Sequence, residues 1–292
     1  MKKIILSGFL SLIATTGLTS VAEATTCSIS GSIDFAYTGA IETCTVSQAG
    51  LYGVTAVGGG GSGSSVADAQ GDISLSSGEI ISIIVGSEPV NKVSVGGYAY
   101  TTGAGGSFVF QGSGSGATPL IVAGGSGGWG YSNPGTTASV TTSGTAGGGG
   151  GGAGGVNGAN GVNSYGQGGE GYLAILATPT PTNGVFGGGG AGGNGGVCSG
   201  GGGGGYSGGG GGYSGWNGGG GGSFVISTAT NASIGIISSQ TSYSNGSVDF
   251  ALINTTASSP PSSVPEPGAI AVFASAIAGL VFARFWMKRR NT

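Results

Sequence analysis

The sequence predicts an all-β fold, an antiparallel sandwich carrying a glycine-rich lobe, and three observations point there. Apolar and polar residues alternate over short runs, the period of a half-buried strand. Glycine punctuates those runs and supplies turn chemistry. No long helical period interrupts them, and short strands with Gly turns pack as sheet on sheet.

Taken in order, Ile41–Val46 and Tyr52–Val57 alternate cleanly, with Thr38-Gly39 before the first and Ala49-Gly50 before the second as turns. Asp72–Leu75 and Ile80–Val85 add two strands separated by Ser76-Ser77-Gly78-Glu79. Later strands are expected at Ser107–Phe110, Leu120–Ala123, Ser223–Ile226 and Ser247–Ile253.

From Gly124 the chain changes character. Gly147–Gly155, Gly187–Gly196 and Gly200–Gly222 are glycine tracts, and Gly-Gly-Tyr206-Ser207 is repeated as Gly-Gly-Tyr213-Ser214. Two readings stand side by side. Such tracts serve as flexible linkers. They also adopt an extended left-handed threefold helix, polyglycine II, the counterpart of polyproline II. Glycine keeps its N–H, so such threads can hydrogen-bond laterally, and the missing Cβ lets them approach closely. Ordering glycine is entropically expensive, so several threads must cooperate.

Composition sharpens these readings. Glycine supplies 73 of 292 residues, yet hydrophobic residues reach 38% and charged ones only 6%, whereas disordered chains combine low hydrophobicity with high net charge. Between Thr25 and Ser263, Lys92 stands alone against eight carboxylates, a balance of −7. Binding nucleic acid requires clustered Lys and Arg, so that class is excluded. The chain has no His, which removes imidazole catalysis and His metal ligation. Three cysteines are too few and too scattered for a zinc cluster.

Both ends read as addresses. Lys2 and Lys3, the apolar run Ile4–Ile13 and Ala22-Glu23-Ala24 form a secretory signal peptide over residues 1–24, with a signal helix and a cleavage site at Ala22 and Ala24. Export makes a Cys27–Cys44 disulfide plausible and leaves Cys198 over. The body is expected over residues 25–253, and residues 254–263 form a Ser/Thr/Pro linker. Residues 264–292 hold Val264-Pro265-Glu266-Pro267, an apolar run Ala269–Ala283 and a basic end with Arg284, Lys288, Arg289 and Arg290. The run predicts one C-terminal transmembrane helix, short of the ~20 residues of a full span and extended by Arg284 and Trp286.

That order resembles the PEP-CTERM sorting signal, with Val264, Pro265, Glu266, Pro267, Arg289 and Arg290 in the matching positions. The resemblance implies an exosortase-type processing enzyme as partner, in a Gram-negative host that secretes exopolysaccharide. It also implies passage across the inner membrane, transient anchoring there, and a final place at the cell surface or in the extracellular matrix. The body resembles the extracellular glycine-rich domain of anaplastic lymphoma kinase and leukocyte tyrosine kinase receptors. The residues that carry this likeness are Phe35-Ala-Tyr-Thr-Gly-Ala, Val57-Gly58-Gly59-Gly60-Gly61, Gly71-Asp-Ile-Ser-Leu-Ser-Ser-Gly, Pro119-Leu-Ile-Val-Ala-Gly-Gly125 and Gly222-Ser-Phe-Val225. It implies a jelly-roll-like, tumour-necrosis-factor-like sandwich with an inserted lobe of polyglycine II helices. No kinase motif set is present.

Catalytic and cofactor motifs fail one by one. No G-x-G-x-x-G opens an amphipathic helix after a strand, and no Gly-Lys-Ser/Thr exists for a P-loop. Asp68 and Asp72 in Asp-Ala-Gln-Gly-Asp are two carboxylates where a hard cation needs six or more oxygens, and they read as a solvated loop. No acid pair is singled out for glycoside hydrolysis. Asn231, Asn245 and Asn254 begin N-x-S/T patterns. The expectation is no catalytic residue, no cofactor and no metal. Tyr206, Tyr213 and Trp216 either face a ligand, stacking on sugar rings, or plug the rim of a glycine bundle. The chain is thus expected to be a structural or adhesive surface or biofilm-matrix protein, associating with exopolysaccharide or with itself. The alternative is a displayed module that recognises a specific carbohydrate or protein.

Overall fold

Sheets account for most of the regular structure. The computed structural model describes residues 25–27, 31–92, 100–131, 133–177, 187–189, 198–238 and 240–255. The signal peptide and the sorting signal lie outside them. In chain order the strands are β1 (Thr25–Cys27), β2 (Ser32–Phe35), β3 (Glu42–Val46), β4 (Gly50–Val57), β5 (Val66–Leu75), β6 (Ile80–Ile84), β7 (Asn91–Lys92), β8 (Tyr100–Thr101), β9 (Ser107–Gln111) and β10 (Thr118–Ala123). They continue with β11 (Phe224–Val225), β12 (Thr230–Ile237) and β13 (Ser247–Thr255), and one short helix, α1 (Tyr172–Ala177), precedes β11. The all-β expectation is borne out.

Two sheets face each other, one ordered β1-β3-β6-β9-β10-β11 and the other β12-β5-β4-β13-β2. Their inner faces share one core. The first sheet contributes Val46, Ile81, Ile83, Val109 and Ile121, and the second Tyr52, Val54, Ala69, Ile73, Val248 and Phe250. The strict alternation in β4 sends Tyr52, Val54 and Ala56 inward, and the Phe250 ring packs 5.0 Å from that of Tyr52.

Continuous apolar runs in β6, β9 and β10 have a different cause. The outer face of the first sheet is buried too: Ile84, Phe108, Phe110 and Val122 pack against Ile175 of α1, with Tyr172, Leu176, Tyr206 and Phe224 alongside. Strands covered on both faces lose their alternation.

Several local expectations need correction. Strand β1 runs parallel to β3, a departure from an all-antiparallel sandwich. Gly50 is a strand residue paired with Leu75 and Thr255, whereas Gly39 (φ +72°) does turn the chain. Asp68 and Asp72 sit on β5, opposite Val57 and Gly53, and not in a loop. Strand β13 continues through Asn254 and Thr255, two residues into the segment read as linker. A register shift after Leu252 lets these residues pair with Leu51 and Gly50. Polar composition concealed a strand end that backbone pairing stabilises.

The glycine tracts form a second layer of order. Residues 200–205 are neither helix nor strand, yet their donors rotate with a period of three. Gly200 and Gly203 donate to the carbonyls of Trp216 and Gly219 (2.9 and 2.8 Å), Gly201 and Gly204 to Thr101 and Ala104 (3.2 and 2.9 Å), and Gly202 and Gly205 to Gln167 and Glu170 (2.8 and 3.3 Å). The same period recurs at residues 208–212, where Gly209 and Gly212 donate to Gly203 and Gly200, and Gly208 and Gly211 to Ala159 and Val162. Three residues per turn is the symmetry of an extended threefold thread. Side chains are excluded sterically: a Cβ on Gly210 would overlap the Gly152 carbonyl oxygen, and one on Gly211 that of Gly166.

Candidate binding site at the end of the glycine lobe

Two copies of Gly-Gly-Tyr-Ser lead to two different environments. After Tyr206 the thread continues, with the Ser207 hydroxyl buried and accepting from the Gly158 N–H (3.0 Å). The Tyr206 ring is stacked between Tyr172 (centroids 4.8 Å apart) and Phe224 (4.6 Å). Burial raises its phenol pKa above the ordinary value, and Tyr172 adds to the rise. Tyr206 is therefore a packing residue that joins the lobe to the sandwich. Of the three aromatic side chains singled out from the sequence, this is the one whose faces are occupied by stacked rings.

After Tyr213 the chain reverses. The Trp216 N–H donates to the Tyr213 carbonyl (3.0 Å), and Ser214 (φ +43°) and Gly215 (φ +86°) both adopt the left-handed region. Positive φ at both central positions defines a type I′ turn. The turn is held from below: Gly215 N–H donates to the buried Ser199 hydroxyl (2.9 Å), and Tyr213 N–H to the Gly148 carbonyl (3.2 Å). The carbonyl of Trp216 accepts from Gly200 (2.9 Å). In this second repeat Tyr213 is exposed, whereas Tyr206 is only partly so.

Trp216 (47% exposed) lines a cleft of about 310 Å³ with Tyr131, Asn133, Ser214 and Gly215. Tyr131 (45% exposed) is positioned by its N–H, which donates to the carbonyl of the buried Cys198 (3.0 Å), and by mutual backbone bonds between Gly130 and Asn133. Beside the cleft, Tyr213 meets Tyr165 edge to face, centroids 4.9 Å apart. Tyr131 and Asn133 escaped the sequence reading. The signal was present: Gly130-Tyr131-Ser132 is a third Gly-Tyr-Ser, about 75 residues before the others.

The remaining candidates fall elsewhere. Cys27 and Cys44 are disulfide-bonded, Cα atoms 5.1 Å apart, and tie β1 to β3. On the outward side of β5, Asp72 accepts from the Asn231 side chain (2.7 Å). Asp68 has one buried oxygen without a hydrogen-bond partner, and burial raises its pKa above the ordinary carboxylate value. Among the described residues, no three His, Cys, Asp or Glu side chains stand together as a metal site. No described helix is long and apolar enough to cross a membrane. Ala22, Ala24, Val264, Pro265, Glu266, Pro267, Arg289 and Arg290 lie outside the described residues.

No protein-family model matches the chain, and no curated protein matches it. Fold and site together define an all-β, β-sandwich-like protein with a hydrogen-bonded glycine lobe bearing exposed aromatic residues.

Proposed function

We propose that this chain is an exported, non-catalytic structural or adhesive protein of a bacterial cell surface or biofilm matrix, sorted by an exosortase-type enzyme. One observation carries the adhesive part: the glycines of residues 200–212 hydrogen-bond laterally to several other segments, with donors repeating every three residues, instead of forming a slack linker. Such a lobe is stiff, and with Glu170 its only charged side chain between Gly124 and Gly222 it suits close packing against polysaccharide or neighbouring copies. In the finer reading, the sandwich is a jelly roll of the tumour-necrosis-factor type and the threads are polyglycine II helices inserted into it. The terminal signals supply the address: residues 1–24 for export, Val264–Pro267 with the basic end for sorting.

A second reading, a recognition module for one specific ligand, is favoured by the cleft at Trp216. Saturable binding of a single glycan or protein, with others ignored, supports it over general adhesion.

Mass spectrometry of terminal peptides from surface and matrix fractions of the native host tests the sorting. A form beginning near Thr25 and ending around Pro265–Pro267 is expected. Recovery of residues 269–292 with the protein in the membrane fraction makes it a plain anchored protein and removes the matrix assignment.

A further inference from the structure

The cleft at the end of the lobe has the chemistry of a sugar site. Its two aromatic side chains are exposed over almost half their surface, although folding normally covers such rings for their large apolar area. They are also held in place. Trp216 closes a turn in which Ser214, a residue with a Cβ, is kept at φ +43°, a conformation that persists only where the surroundings impose it. The Ser199 hydroxyl beneath Gly215 and the bond from Gly200 to Trp216 provide that imposition.

The polar groups beside the rings are uncommitted. Among the described residues, the Asn133 amide, the Ser214 hydroxyl and the Trp216 indole N–H make no intramolecular hydrogen bond. They offer both donors and acceptors. None of the five lining residues is charged at neutral pH, so an ionic ligand would give up water without gaining a counter-charge. The volume of about 310 Å³ falls at the small end of ligand sites. Apolar ring faces beside neutral hydrogen-bonding groups match a pyranose, with C–H faces above and below its ring and hydroxyls around the edge. The Tyr165–Tyr213 pair extends the aromatic surface past the cleft, as a polymer longer than one unit requires.

We propose that this cleft is a glycan subsite that binds a neutral pyranose unit of a polysaccharide, with Tyr131 and Trp216 stacking on the sugar and Asn133 and Ser214 bonding its hydroxyls. The proposal rests on polysaccharide binding, which both readings above allow, and supplies its contact residues; binding to several neutral polymers fits adhesion, and binding to one alone fits the recognition module.

The test uses the full-length protein and measures binding to immobilised β-1,4-glucan, β-1,3-glucan and α-mannan, with alginate as an acidic polymer. Saturable binding to at least one neutral polymer is expected, with little to alginate. Trp216→Ala and Tyr131→Ala are each expected to weaken it about tenfold, the scale of one lost aromatic contact, and Trp216→Tyr to restore most of it. Because Trp216 also packs on Gly149, Asn133→Ala serves as the variant that spares the packing, with about a threefold to tenfold loss expected. Ile253→Ala, exposed on the sandwich, should leave binding unchanged. Neutral-polymer binding that survives all three cleft variants overturns the subsite and leaves adhesion standing through another surface. Binding to alginate alone does the same. Absence of binding to every polymer overturns the subsite together with polysaccharide adhesion.

Discussion

Gly203→Ala probes whether the glycine lobe is close-packed. A Cβ at this position would overlap the Gly125 carbonyl oxygen and lie 2.7 Å from that of Ser126. Both obstacles are backbone, so relief requires moving the thread of residues 124–128. That thread is held to residues 200–205 by Gly125 N–H to Gly204 O (2.8 Å) and Gly128 N–H to Gly201 O (2.7 Å). Losing two such bonds costs about 2 kcal/mol, and overpacking adds roughly 1–3 kcal/mol. The reduced freedom of the unfolded chain returns about 0.4–1 kcal/mol. The expected net destabilisation is about 3 kcal/mol. Gly116→Ala is the reference, since a Cβ there meets nothing within 4 Å and φ is not positive; it should change stability by less than about 1 kcal/mol, in the stabilising direction. Guanidinium unfolding followed by tryptophan fluorescence reads both, with Trp129 and Trp216 reporting from the lobe. If Gly203→Ala unfolds within about 0.5 kcal/mol of the parent, the threads are slack and the steric argument is wrong.

Two further expectations come from the sandwich. Reducing the Cys27–Cys44 disulfide, which closes a separation of 17 residues, should cost about 3 kcal/mol by chain entropy, measured as a lower denaturation midpoint with dithiothreitol; an unchanged midpoint would show that β1 adds nothing to the fold. Asp68 has a raised folded-state pKa because burial penalises its charge, so its contribution is full below the ordinary value of 3.8 and is lost as pH rises through the folded value. Asp68→Asn should therefore flatten the fall in melting temperature as pH rises above that ordinary value and raise the melting temperature at the upper end; a steeper fall in the variant contradicts the desolvation argument.

The sandwich was legible where the chain is half-buried. In β4, alternation marked Tyr52, Val54 and Ala56 as the inward set, and the structure puts them there. Legibility failed at edges. Strand β12 lies at the edge of its sheet with nearly every residue exposed, so no hydrophobic period marks it. Helix α1 has six residues, too few for its period to register. The two Tyr-Ser repeats were equivalent as sequence and diverged in space, because Ser207 continues a thread while Ser214 begins a reversal.

By itself, the sequence determined the class of fold, the absence of imidazole chemistry, the weak charge of the body and the presence of glycine tracts able to approach closely. These are properties of residue type and spacing, which act locally. Only the tertiary structure decided that the glycine N–H groups point in three directions toward different segments, that Tyr206 is stacked between Tyr172 and Phe224, and that Tyr131 and Trp216 line one cleft. Each of these depends on chain segments tens of residues apart. A glycine tract contains no pattern that names its partners; the partners are chosen by where the sandwich strands deliver the ends of each thread.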